Sequence, residues 1–227
     1  SDLELIIVAT ITPDMQFPAT ACFLQQHIGA KCAVCFDVGA ACSGFVYAID
    51  IAQQFIARGV YKNALVVGAE TMSTIVDWQD RNTCVLFGDG AGAVVLAEAK
   101  SGGILSSYLG SDGTKTDLLK VPGGGSRHPI NKELLEHRLH YIKMEGNEVF
   151  KLAVTTMTEA AQVALKRANL ECKDISLVIP HQANIRIIMA MAKKLGIAEE
   201  KVYLNIEKYG NISSASTAPA LCEAVKS

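Results

Sequence analysis

The sequence predicts an α/β fold with largely parallel or mixed sheets. Short apolar runs of strand composition alternate with stretches whose apolar residues recur at helical spacing, the order that βαβ units require. In the clearest unit, residues 33–58, a strand passes through a small-residue turn into a helix. The same progression returns faintly from Val202 through Asn211 to Ser214. That echo predicts two related halves with a break near Lys100, residues 1–100 and 101–227.

In chain order, residues 3–10 (LELIIVAT) read as a buried strand that begins with no lead-in, so the chain is expected to be a fragment. Pro13 and Pro18 interrupt the next stretch, and residues 19–28 form a helix. Residues 33–38 are a second strand, and Gly39, Ala40 and Ala41 make the turn. A helix then carries Phe45, Ile49, Ala52 and Ile56 on one face and stops at Gly59. Residues 64–68 are another buried strand, while 71–82, with the lone Trp78, are irregular. Strands are expected at 84–87 and 93–97, joined by a tight turn at Gly88-Asp-Gly90-Ala-Gly92, and a further strand at 104–109. Residues 110–131, rich in Gly, Ser, Pro and Asp, form the longest loop. An amphipathic helix covers 147–169, strands cover 175–179 and 201–206, and helices cover 185–195 and 214–225.

Composition narrows the function classes. The chain is 50% hydrophobic and 19% charged, with a formal net charge of −2, which argues against a nucleic-acid partner. No apolar run is long enough to span a membrane, and no signal-peptide pattern opens the chain. Seven scattered cysteines, an odd number, point to free thiols in a reducing compartment, so a cytoplasmic protein is expected.

Three polar positions fall where α/β proteins place chemistry. Cys42 sits between strand and helix, where unpaired amides and the helix dipole favour the thiolate. His181 follows a buried strand and Pro180, and Asn211 lies in a second glycine turn. Asn cannot take up a proton, so a Cys/His/Asn set suits acyl transfer in which donors hold an oxyanion or enolate. Taken singly, each residue reads as readily as structural. Other candidates are weaker. Cys32 and Cys35 form a lone CxxC whose second cysteine lies within a strand, and no zinc or other metal site is expected. The Gly88–Gly92 run precedes a strand pattern rather than a helix, so it does not meet the context of a dinucleotide loop. Ser43 lies in ACSGF rather than a hydrolase elbow, and His128, His137 and His140 lack an acidic cluster.

The segments DVGAACSGF, LFGDGAGAVVL, MEGNEVFKLAV, PHQANIRI and KYGNISSAS, in this order, resemble β-ketoacyl-acyl-carrier-protein synthase III of the thiolase superfamily. The resemblance implies a thiolase-like fold, two related βαβ halves in a layered α-β-α-β-α arrangement with mixed sheets. It implies an acyltransferase that initiates fatty-acid synthesis as a homodimer, without metal or redox cofactor. Cys42 would take an acyl group, acetyl in the first instance, from acyl-CoA; His181 and Asn211 would hold the malonyl-acyl carrier protein thioester during decarboxylative condensation. By the same resemblance Arg81 packs on the CoA adenine, Phe87 lines the acyl pocket, and Phe17 enters it from the partner subunit. Asn184 and Arg186 line the pantetheine channel, and Lys151, Arg186, Lys193 and Lys194 form a docking patch for the acidic carrier protein. Relative to the family, roughly the first quarter and the C-terminal glycine-rich loop are absent, and the 110–131 loop is longer. The alternatives are a synthase with another starter or a secondary-metabolite role, and a truncated, non-catalytic fragment that binds a partner.

Overall fold

The structure, a computed structural model, describes residues 2–226. Its first part is a four-stranded mixed sheet flanked by helices. Strand β1 (Leu5–Ala9) is followed by helix α1 (Thr20–Ile28), strand β2 (Val34–Val38), helix α2 (Gly44–Ala57), and strands β3 (Asn63–Thr71) and β4 (Asp89–Ala97). The order is β2-β1-β3-β4, with β1 parallel to β2 and β3, and β4 antiparallel to β3. Every residue of β1 is buried, as a central strand covered on both faces requires. Leu5, Ile7 and Ala9 pack on Phe45, Ala48 and Ala52 of α2, while Ile6 and Val8 pack with Ala21 of α1.

The rest of the chain is mainly helical. Strand β5 (Leu119–Lys120), helix α3 (Lys132–Glu136) and strand β6 (Lys143–Met144) interrupt the long loop, and β5 pairs with β6. Helix α4 (Gly146–Arg167) packs against α5 (Ile185–Leu195) over a core of Met157, Ala161, Ile188, Met191 and Leu195. Helices α6 (Ile206–Tyr209) and α7 (Thr217–Ala224) follow, and Ala218 of α7 enters the core of the first sheet. Among the described residues no helix is long and apolar enough to cross a membrane.

Four expected strands take other forms. Residues 84–87 fold into hydrogen-bonded turns because Asp80 accepts from Asn82 N and Thr83 Oγ1, competing with an extended backbone. Residues 104–109 find no ladder partner among the described residues. Their polar groups bond to helices instead: Ser106 Oγ to Ala164 O at 2.6 Å, and Arg167 Nη1 to Ser107 O at 2.6 Å. Residues 175–179 and 201–206 meet in a single bridge, Val178 with Val202, because Pro180 has no N–H with which to continue the ladder. The expected turn at Gly88–Gly92 is itself strand, since β4 begins at Asp89.

Those glycines have a packing reason. A Cβ on Gly92 would lie 2.6 Å from Pro219 N, and one on Gly88 would lie 2.2 Å from Tyr209 O. The segment carrying Asn211 therefore lies directly on the bare backbone at Gly88, just ahead of β4, and α7 lies on Gly92.

Candidate functional site

Two turns from distant parts of the chain meet at Cys42. The first is the 3₁₀ turn Ala41–Ser43, which joins β2 to α2. Ala41 adopts φ 43°, the left-handed region that costs a side-chain-bearing residue energy, so the surrounding contacts must hold it there. Gly44 leaves room beneath: a Cβ there would stand 3.2 Å from Ala9 Cβ and 3.3 Å from Ser214 Cβ. The second is the turn Ser213–Ser216, where Ser213 adopts φ 47°. Cys42 Sγ lies 3.8 Å from Ser213 Oγ, across 171 residues of sequence.

Asn211 precedes this second turn and is buried, 8% exposed. Its backbone is clamped from both sides, with Asn211 N donating to Leu86 O at 2.9 Å and Gly88 N donating to Asn211 O at 3.0 Å. Its side-chain oxygen accepts from Ser213 N at 2.9 Å and from Ser216 Oγ at 3.4 Å. The amide nitrogen is left as a donor that bonds to no described residue.

His181 is positioned by its neighbour. Gln182, 1% exposed, donates through Nε2 to Pro180 O at 3.0 Å and Tyr203 O at 3.1 Å, and accepts from Asn205 N at 3.1 Å. The bonds to Tyr203 and Asn205 staple the 180–182 segment to the strand-like stretch leading to Asn211, and the bond to Pro180 O closes the segment on itself. The imidazole itself has both ring nitrogens buried and without a hydrogen-bond partner. Buried polar atoms left unpaired are costly, and such orphans mark places where a ligand completes the network. Burial pushes the His181 pKa down to about 4, so the ring is neutral at physiological pH and one nitrogen is a donor.

This burial has a measurable consequence. As pH falls below 6.5 the unfolded chain protonates this histidine while the folded chain does not, so the unfolded state binds more protons. Stability is expected to fall by roughly 3 kcal/mol between pH 6.5 and 4, with no slope from this group above that window. Denaturant titrations across the range should show a shallower slope for His181→Asn.

The Cys42 thiol departs from the expectation of a favoured thiolate. Burial pushes it up, the charge of Glu70 adds to the rise, and the Ser213 contact only partly opposes them. The helix terminus is present as expected, but a half-buried thiol near a carboxylate outweighs it.

The remaining expected residues are dispersed. Phe87 is half-buried against Met72, Val76 and Ile142, and bridges to Asn211 through the backbone. Asn184 caps α5, accepting from Arg186 N at 2.9 Å. Arg186 lies over the Phe150 ring of α4 at 5.7 Å, beside Lys151, which is paired with Glu148 at 2.7 Å. Lys193 and Lys194 are exposed on the last turn of α5. Arg81 is exposed in the turn after Trp78, and Phe17 is 82% exposed.

Asp77 was not singled out from sequence, yet it anchors the segment that carries Arg81. Its buried carboxylate accepts from Arg138 Nε at 2.8 Å, which holds it well below the usual carboxylate range. Gln182 is named by the sequence together with His181, whereas Ser213, two residues after Asn211, was missed as a support. Among the described residues no cluster of three or more His, Cys, Asp or Glu side chains could hold a metal ion.

Comparison with known proteins matches this arrangement to one family. The model of 3-oxoacyl-[acyl-carrier-protein] synthase III matches residues 36–113, and that of its C-terminal region matches 165–227. The β-ketoacyl-[acyl-carrier-protein] synthase III of Caldanaerobacter subterraneus is 56% identical over 99% of this chain and 68% of its own length. That of Clostridioides difficile is 56% identical over 99% of this chain and 69% of its own. The crystal structure of 3-oxoacyl-[acyl-carrier-protein] synthase III from Aquifex aeolicus superposes with a TM-score of 0.89 at 49% identity, covering 99% of this chain and 68% of that one.

Proposed function

Because the chain belongs to the 3-oxoacyl-[acyl-carrier-protein] synthase III family, we propose that Cys42, His181 and Asn211 are the catalytic residues of its condensing reaction. The enzyme is an acyl-transferring condensing enzyme of fatty-acid biosynthesis with a thiolase-like fold. The observation that carries the assignment is the meeting of Cys42 and the Asn211 turn, together with the orphaned imidazole of His181.

In the first half-reaction the Cys42 sulfur attacks the carbonyl of an acyl-CoA, for which acetyl-CoA is the proposed starter. The C–S bond to CoA breaks, and the proton lost by Cys42 ends on the departing CoA thiol. In the second, malonyl-acyl carrier protein binds with its thioester oxygen facing the His181 ring donor and Asn211 Nδ2. Loss of CO₂ leaves the electron pair as an enolate on that oxygen, held by two neutral donors. The enolate carbon attacks acyl-Cys42, the new C–C bond forms, and Cys42 leaves as thiolate. The product is 3-oxoacyl-acyl carrier protein. A neutral His181 suits this role, since nothing in the step requires it to carry charge.

No metal or redox cofactor takes part in this scheme, and the CoA thioester is a substrate. Arg81 and Asn184 are proposed along the CoA and pantetheine path, and Phe87 at the acyl pocket. Lys151, Arg186, Lys193 and Lys194 are proposed to meet the acidic carrier protein. Lys151 is already engaged with Glu148, so Arg186 and the lysine pair would contribute most. A homodimer, with Phe17 reaching the partner's pocket, is supported by the exposure of that ring and by the edge position of β2, which among the described residues pairs with β1 alone. The division into halves at residues 1–100 and 101–227 and a cytoplasmic setting belong to the same proposal. The test is formation of 3-oxoacyl-carrier protein from acetyl-CoA and malonyl-carrier protein, with loss of product expected in Cys42→Ala. Equal rates in the two proteins would reject the assignment.

A further inference from the structure

Glu70 ends near the tip of β3 as a buried carboxylate, 4% exposed, that the condensing reaction does not use. Five donors converge on it. Thr12 Oγ1 lies at 2.6 Å, Ser214 Oγ at 2.7 Å, Thr12 N and Ile11 N at 3.1 Å, and Thr10 Oγ1 at 3.3 Å. Among the described residues it forms no ion pair with a cation. A buried carboxylate without a counter-charge persists only where hydrogen bonds replace its water. Four of those bonds come from the end of β1, and the fifth reaches across to the Ser213–Ser216 turn.

That fifth bond joins Glu70 to the proposed site. Ser214 Oγ also lies 2.7 Å from Ala9 O, so its single hydrogen is shared between two acceptors and the hydroxyl sits between β1 and β3. The adjacent Ser213, in its left-handed conformation, meets Cys42 Sγ at 3.8 Å through Oγ and orients the Asn211 side chain through its N–H at 2.9 Å. A residue in that backbone region stays there only when its surroundings over-determine it. Glu70 also lines a cavity of about 830 Å³, with Asp14 and Asp89 on its walls; none of Cys42, His181 and Asn211 lines it. Glu70 thus stands behind the catalytic turn rather than in the reacting space.

We propose that Glu70 is the positioning residue of this site, acting through Ser214 to set the turn that holds Asn211 and Ser213 against Cys42. The proposal rests on the reading of Cys42 and Asn211 as catalytic residues. The Glu70 charge also bears on the Cys42 thiol and raises it, which gives a readout that a purely structural tie would not move.

The experiment compares the full chain with Glu70→Gln and Ser214→Ala, following the pH profile of Cys42 alkylation by iodoacetamide and the rate of condensation from pre-acylated enzyme. Glu70→Gln keeps the shape and removes the charge. Its alkylation midpoint is expected to move to lower pH, and its condensation to slow roughly ten- to a hundredfold, the scale of ångström-level misplacement. Ser214→Ala leaves Glu70 and its four other donors in place. Condensation should slow on the same scale with the alkylation midpoint unmoved, and this variant decides the matter if Glu70→Gln does not fold. Wild-type midpoint and condensation rate in Glu70→Gln, or a wild-type rate in Ser214→Ala, would overturn the proposal. Absence of an acyl group on Cys42 of the unaltered protein would overturn the site reading and this proposal together.

Discussion

Replacing Asn211 by alanine is expected to slow decarboxylative condensation by about 10²–10³-fold while acylation of Cys42 continues at a rate within about tenfold of the original. The asymmetry follows from where the residue acts. Its Nδ2 donor is needed when negative charge gathers on the malonyl thioester oxygen, a step that comes after Cys42 has already been loaded. The part of Asn211 that the turn uses is different: its side-chain oxygen accepts from Ser213 N and Ser216 Oγ. Asn211→Asp keeps those two acceptor contacts and removes the donor, so it should show the same split between half-reactions with the turn intact. Single-turnover measurements of each half-reaction check this. Equal slowing of both steps by Asn211→Asp would mean that the residue is not an enolate-holding donor.

Gly88→Ala is expected to be the most damaging change of one methyl group. The added Cβ would lie 2.2 Å from Tyr209 O, a backbone atom that no rotamer change can move aside. Relief requires the 209–211 segment to lift from β4, which breaks the pair of hydrogen bonds from Gly88 N and to Leu86 O that clamp Asn211. A cost of about 3 kcal/mol or more is expected, lowering Tm by roughly 6–12 °C in a chain of this size. Condensation should fail well below that temperature, because the first part to move is the one carrying Asn211. Gly113→Ala, where an added Cβ meets nothing within 4 Å, is the control and should be close to neutral.

The sequence made the centre of the first sheet legible because β1 is covered on both faces. A run such as LIIVA has one reading when every residue is buried, and the amphipathic spacing of α2, α4 and α5 is equally direct. The expected strands that failed share a different cause. Residues 84–87, 104–109, 175–179 and 201–206 have strand composition, but a strand also needs a neighbour, and composition carries no information about partners. The glycines of β4 show the complementary limit. Their pattern was visible, but the reason is a second segment lying on them, more than a hundred residues away in sequence.

The candidate site was legible where a residue type is chemically special. Cys42, His181 and Asn211 each stand at the end of an element, and the structure joins the first and last of them through Ser213. The supports were not legible, for a physical reason. Glu70 and Asp77 act through buried hydrogen bonds to groups distant in sequence, so nothing local distinguishes them from ordinary polar residues. The sign of the thiol's shift was missed for the same reason, since the helix terminus is local while the burial and the Glu70 charge come from tertiary packing.

The central claim is that Cys42 carries the acyl group, and intact mass after incubation with acetyl-CoA, followed by peptide mapping, tests it most directly. The account predicts one acetyl group on the peptide containing Cys42, absent in Cys42→Ala and discharged on adding malonyl-carrier protein. An acetyl group that persists in Cys42→Ala, or that maps to another cysteine, would contradict it.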